Sequence, residues 1–275
     1  MSEISTVFFL EKLLKHHLTD KEFEWLASNL NKIDEDATGK KFLLAYSLVY
    51  RFISRNDISY SENELAVLED IYPSFHAKGW NTHSLTRALL MLHLDPKTNK
   101  KTLQFLENTA SDKEQEDLYK SLYFLENSED FISFIEEGIR SNVITIYDAI
   151  AHYNPFPATY LSKNSWNQLV LKGIFNYRPL YPIYKLQERN NEKLALVAND
   201  YVRERWAAGR NFTPELWQLM LGNINQDLEK TVSKACTSEN AIEKKVATKV
   251  LELNNTQTNT DTGFWESVGK EYYNI

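Results

Sequence analysis

Three times in the first half of the chain a Ser or Thr stands three residues ahead of a Glu and introduces an apolar pattern: Thr19 with Glu22, Ser61 with Glu64, and Ser111 with Glu114. The hydroxyl satisfies a free amide of the first helical turn, and the carboxylate reaches back to the amide of the capping residue, so each pair marks a helix start. Thr213 followed by Pro214 and Glu215 marks a fourth, because proline at the first helical position gives up only an amide that has no partner there. These marks divide the chain into short helices.

Apolar spacing between the marks predicts helices near 4–17, 20–31, 39–54, 62–71, 84–94, 98–108, 112–125, 129–140, 145–152, 165–176, 191–208, 214–221, 225–236 and 239–253. Strict alternation over strand length is nearly absent, and 8 Gly and 7 Pro among 275 residues disfavour a many-stranded sandwich or barrel. Short Asn, Asp, Ser, Gly or Pro connections imply antiparallel helix hairpins. The expected fold is therefore all-α: an irregular HEAT-like array of hairpins, an α-superhelix of roughly 12–15 helices with no fixed repeat period. We expect one helical domain over 1–253, a polar linker over 254–263 whose NNTQTNTDTG composition cannot offset its ordering entropy, and a docking segment over 264–275. In that tail Phe264, Trp265, Val268 and Tyr272 share a helical spacing suited to covering either the site or a partner surface.

The single Cys236 excludes an internal disulfide and a cysteine-rich zinc cluster, and points to a reducing compartment. The apolar run near the N-terminus is too short for a signal-peptide core, and no stretch approaches the ~20 residues of a membrane span. A soluble, cytoplasmic protein is expected. The net charge of −7 disfavours nucleic acid and anionic membranes as partners. Between Lys163 and Arg210, however, nine Lys or Arg face four Asp or Glu, giving +5 against −12 for the remainder.

That basic island holds the candidate site. In WNQLVLKGIFNYRPLYPIYKL, residues Trp166, Leu169, Val170, Gly173, Ile174 and Tyr177 define a buried face, with Gln168 and Lys172 one turn apart on the other side. The helix ends before Arg178, where Pro179 blocks continuation. The next helix buries Leu194, Val197, Ala198, Tyr201, Val202 and Trp206 and ends at Gly209 in the left-handed conformation. Its remaining face carries Asp200, Arg203 and Glu204, Arg205 flanks Trp206, and Arg210 follows the glycine. Together Trp166, Gln168, Lys172, Arg178, Tyr201, Arg203, Arg205 and Arg210 suit a small anionic metabolite, since guanidinium forks match phosphate and carboxylate geometry. The competing account pairs these arginines with Asp200, Glu204 and the acidic remainder.

Upstream, Asp148 and His152 lie four apart on one helical face, a spacing at which a carboxylate orients an imidazole for proton transfer. With Arg203 they are the candidate catalytic groups, beside the plainer reading of a helix-terminal histidine. Other chemistry lacks its motif. The eight glycines are scattered, so no phosphate-cradling or dinucleotide loop is formed. Asn199 and Asp200 begin a terpene-synthase-like magnesium motif that fails at Arg203 and Ala207. His76, His83 and His93 are spaced by seven and ten rather than by one turn, so no metal and no cofactor is expected.

The segments GWNTHSLTRALLML, NPFP, WNQLVLKGIF, RPLYPIYKLQERNNEKLA and DYVRERWAAGR, taken together, resemble the EboA-domain family, continuously from about 79 to 217 and most strongly from Asn154 on. The resemblance implies a bacterial operon whose companions are similar to a UbiA-type prenyltransferase, a dehydroquinate-synthase-like cyclase, a TatD-like hydrolase and a sugar-isomerase-like barrel. It implies a role in making or exporting a secondary metabolite, with phosphorylated cyclitols or prenyl diphosphates as ligands and pathway enzymes as partners. No catalytic residue transfers, because the family has no agreed activity. The expectation is a binding or scaffold protein of such a pathway, with an isomerase, lyase or transferase acting on the same intermediates as the alternative.

Overall fold

All three expected capping boxes close: Glu22, Glu64 and Glu114 accept the amides of Thr19, Ser61 and Ser111 at 2.8, 2.8 and 2.9 Å. The computed structural model describes residues 5–256 and 262–274, and these contain fifteen α-helices and no strand, only one antiparallel bridge between Asp57 and Asn81. The fold is all-α. Its internal contacts define two units, Met1–Leu161 and Ser162–Ile275, so the expected array over 1–253 is crossed by a division at Leu161.

The first unit comprises α1 (Thr6–His17), α2 (Asp20–Asp34), α3 (Lys40–Phe52), α4 (Glu62–Ile71), α5 (Thr82–Leu92), α6 (Asn99–Thr109), α7 (Asp112–Ser121), α8 (Ile132–Arg140), α9 (Ile144–Ala151) and α10 (Phe156–Tyr160). Every second helix packs on the last: α3 on α5, α5 on α7, and α7 on α9. Helix α5 also meets α1 and α2 and is buried on all sides from Ser84 to Met91. Its Leu85, Leu89, Leu90 and Met91 are fully enclosed, each contributing about 2 kcal/mol of burial. A helix covered all round must neutralise any charge it carries. Arg87 donates to Asp117 at 2.7 Å and to the Tyr46 carbonyl at 3.3 Å, and Glu114 lies at 3.7 Å.

The second unit comprises α11 (Lys163–Phe175), α12 (Glu192–Ala207), α13 (Gln226–Ala235), α14 (Ala241–Thr256) and α15 (Thr262–Tyr273), with a seven-residue 3-10 helix, Pro214–Met220, as its hub. The sequence pattern predicts an α-helix at the hub. The tighter winding, three residues per turn, sets side chains in three ridges, and the segment has three neighbours: α12, α14 and α15. All seven hub residues are buried. The carboxylate of Glu215, fully enclosed, accepts the amides of Leu180 at 3.1 Å and Tyr181 at 2.6 Å and the Thr213 hydroxyl at 3.3 Å. It thereby ties the loop after α11 to the hub. Asn167 and Asn191 exchange carboxamide bonds at 3.2 and 2.9 Å, which accounts for one of the polar residues interrupting the apolar run of α11.

Other boundaries differ from the expected ones. The run expected as one helix over 112–125 is α7 plus a 3-10 turn, Leu122–Phe124, and α8 follows a 3-10 turn, Ser128–Phe131. A short α10 forms in the NPFP segment, where proline occupies the first turn at no cost in hydrogen bonds. In the expected linker, α14 extends to Thr256, and 257–261 lie outside the described residues. The tail forms α15, which packs on the hub and has Trp265 and Val268 buried.

Candidate anion-binding groove

Two residues apart on an α-helix means about 200° apart around its axis, so Arg203 and Arg205 of α12 leave opposite sides. Arg203 faces α13. Its Nη2 meets Asp227 Oδ1 at 2.8 Å and its Nε donates to Thr231 Oγ1 at 3.1 Å. The hydrogen bond from Arg203 holds the Asp227 carboxyl below its usual range. Next to this pair lies a groove of about 370 Å³ lined by Arg203, Trp206, Ala207, Lys230, Thr231 and Lys234. Arg203, Trp206 and Ala207 share one face of α12 by their spacing of three and four, and Lys230 and Lys234 lie one turn apart on α13.

The tryptophan forms a fixed wall. Its indole Nε1 donates to Glu243 Oε1 at 3.2 Å, its ring packs 5.9 Å from that of Trp217, and Lys234 Nζ lies 4.6 Å from its centroid. The lining therefore presents two lysine ammonium groups and the guanidinium of Arg203, already paired with Asp227 at the groove's edge, around an aromatic surface. Such a surface attracts an anion that has an apolar part, the ammonium and guanidinium groups taking the charge and the indole the remainder.

The other expected ligand residues are distributed elsewhere. Arg205 turns to the opposite side, donating to the Asn211 carbonyl at 2.9 Å and to the Tyr177 hydroxyl at 2.8 Å, with its guanidinium 5.6 Å from the Tyr201 ring. Tyr201 and Arg205, one turn apart, are thus brought together, and Arg203 is not among them. Arg210 lies 3.6 Å from Glu204, the exposed ion pair of the competing account. Trp166 is buried with the Arg189 guanidinium 4.7 Å from its ring, Gln168 is exposed, and Lys172 is half-buried with burial lowering the pKa of its ammonium.

Both helix ends match their sequence signals. Gly209 has φ +62, with Gly209 N bonded to Trp206 O and Arg210 N to Arg205 O, the double closure of a left-handed cap. Helix α11 ends by the same closure, Arg178 N to Gly173 O at 2.8 Å, but with Tyr177 in the left-handed position at φ +55. In the first unit, His152 Nδ1 lies 3.5 Å from Asp148 Oδ1 at the end of α9. Among the described residues no group of three or more His, Cys, Asp or Glu is placed to hold a metal, and no helix is long and apolar enough to cross a membrane.

Lys230, Thr231, Lys234, Trp206 and Ala207 are the lining residues that the sequence analysis does not select. The local signal, Lys230 and Lys234 at helical spacing, is present in the chain. What is missing from it is the knowledge that α13 lies against the Arg203 side of α12.

Fold and groove define a class: an all-α protein with a cationic, aromatic-walled surface groove. Residues 6–221 match the family described as metabolite traffic protein EboA, and the chain belongs to that family. The match begins well ahead of the stretch that carries the resemblance and ends before α13, so Lys230 and Lys234 lie beyond it. No curated protein and no solved structure matches the chain.

Proposed function

We propose that this protein binds an anionic pathway metabolite in the α12–α13 groove and carries it or presents it to a partner enzyme, rather than converting it. The observation that carries the reading is the set Lys230, Lys234 and the Asp227-paired Arg203 around the Trp206 ring, with no carboxylate among the residues that line the groove itself. Family membership supplies the context of metabolite traffic. Phosphorylated cyclitols and prenyl diphosphates, the ligand classes implied by the operon companions, both carry the required charge, and a prenyl chain would use the indole wall. The family-matched part contributes Arg203 and Trp206, and the following helix contributes the lysines. The alternating contacts of α3, α5, α7 and α9 support reading the first unit as an irregular HEAT-like array.

The test is calorimetric titration of the full chain with inorganic pyrophosphate and with a short prenyl diphosphate, following intrinsic tryptophan fluorescence in parallel. Wild type binds, and the Lys230→Gln/Lys234→Gln pair weakens binding at least about ten-fold, the effect expected when two charge-assisted contacts are lost. Equal affinity in wild type and the pair would sink the groove as the site.

A further inference from the structure

A second cavity, of about 670 Å³, lies wholly within the first unit and within the family-matched residues, framed by α6, α7 and α8. Its volume falls in the roughly 300–1,000 Å³ range of small-molecule sites. At its inner wall is Glu107, only 9% exposed, whose Oε1 accepts the Tyr119 hydroxyl at 3.0 Å. No second hydrogen bond to a described residue engages this side chain, which leaves its other oxygen for an occupant. Gly138 makes the arrangement possible. A Cβ there would collide with Ile150 and lie 2.8 Å from Tyr119 Cζ, so only glycine lets α8 approach closely enough for the phenol to remain against Glu107.

The outer wall has a different character from the basic groove. Gln104, Ser133 and Asn142 line it and make no side-chain hydrogen bond to another described residue, and Glu137 and Arg140 pair at 3.6 Å on exposed positions. Carboxamides and hydroxyls both donate and accept, as do the hydroxyls of a sugar or cyclitol, whereas a buried carboxylate repels an anion and favours hydroxyl donors. Phe134 and Tyr119, only 2% and 3% exposed, form the floor beneath these polar groups. Burial raises the Glu107 pKa, and Tyr119 partly offsets this.

We infer that the α6–α7–α8 cavity binds a neutral polyol of about monosaccharide size, recognised by Glu107 and by the side chains of Gln104, Ser133 and Asn142. This site is independent of the α12–α13 groove. It is tested by saturation-transfer NMR on the full chain with myo-inositol, glucose and mannitol as probes and choline as a cationic control. Wild type saturates the C–H protons of at least one polyol. Glu107→Gln, and separately the exposed pair Gln104→Ala/Asn142→Ala with its fold verified by circular dichroism, bind that polyol about ten-fold more weakly, while Lys230→Gln/Lys234→Gln leaves it unchanged. The inference is overturned by absence of transfer to all three polyols, by transfer that the Gln104/Asn142 pair leaves intact, or by binding of choline alone.

Discussion

The enclosed carboxylate of Glu215 accepts the amide of Tyr181 at 2.6 Å, joining the hub of the second unit to the loop that follows α11. Burial raises its pKa from the ordinary 4.5 to about 7 in spite of bonds from Leu180, Tyr181 and Thr213 that favour the ionised form. A group whose folded pKa lies above its unfolded value contributes stability that is complete below pH 4.5 and is lost as pH rises through about 7. The second unit is therefore expected to resist urea better at pH 5 than at pH 8, by on the order of 3 kcal/mol for a shift of this size. Glu215→Gln, which keeps an acceptor oxygen at that place, flattens the profile. Identical pH profiles in the variant and wild type, read from hydrogen exchange of the second unit's amides, would refute this.

Glu22 in the first unit has the opposite sign. Burial disfavours its charge, but the amides of Thr19 and Ser54, at 2.8 and 2.6 Å, and the Thr19 hydroxyl prevail and lower its pKa from 4.5 to about 2. Its contribution is present above pH 4.5 and is lost as pH falls toward 2. Glu22→Ala keeps the Thr19 hydroxyl cap on the residue-22 amide but removes the carboxylate bonds to Thr19 and Ser54, and should cost roughly 1–3 kcal/mol at neutral pH. Hydrogen exchange of the α2 amides measures it, and unchanged protection counts against the assignment.

Asp227 competes with any anion for Arg203, which it meets at 2.8 Å. Replacing it with Asn keeps the shape, removes the rival charge and is expected to tighten pyrophosphate binding several-fold at low salt, with the gain shrinking as salt screens the site. Weaker binding in Asp227→Asn would mean that the carboxylate positions Arg203 for the ligand rather than competing with it.

Gly269 of α15 lies against Tyr181 and within reach of Glu215, where an added Cβ would collide with the Tyr181 ring and lie 3.1 Å from Glu215 Cδ. Gly269→Ala is expected to lift α15 off the hub at a cost of about 1–3 kcal/mol in spite of the better helix former. Faster hydrogen exchange confined to α15 is the expected signature. Unaltered exchange would show that Tyr181 yields without cost.

Helix starts and stops were legible because their causes are local. Thr19 and Glu22, or Gly209 and the carbonyls of Arg205 and Trp206, lie within a few residues of one another, so chain order alone brings them together. The composition of the basic island was legible too. How its charges are distributed was not. The placement of Arg203 against Asp227 and Thr231, 24 and 28 residues away, depends on α13 packing on that side of α12, and the seating of Tyr119 against Glu107 depends on how closely α8 approaches α7 at Gly138. By itself the sequence determined that this protein is built of capped helices with a cationic stretch; tertiary packing alone decided which cations share a cavity. The physical reason is that a helix presents side chains at every angle around its axis, and only its neighbours select the face that becomes a site.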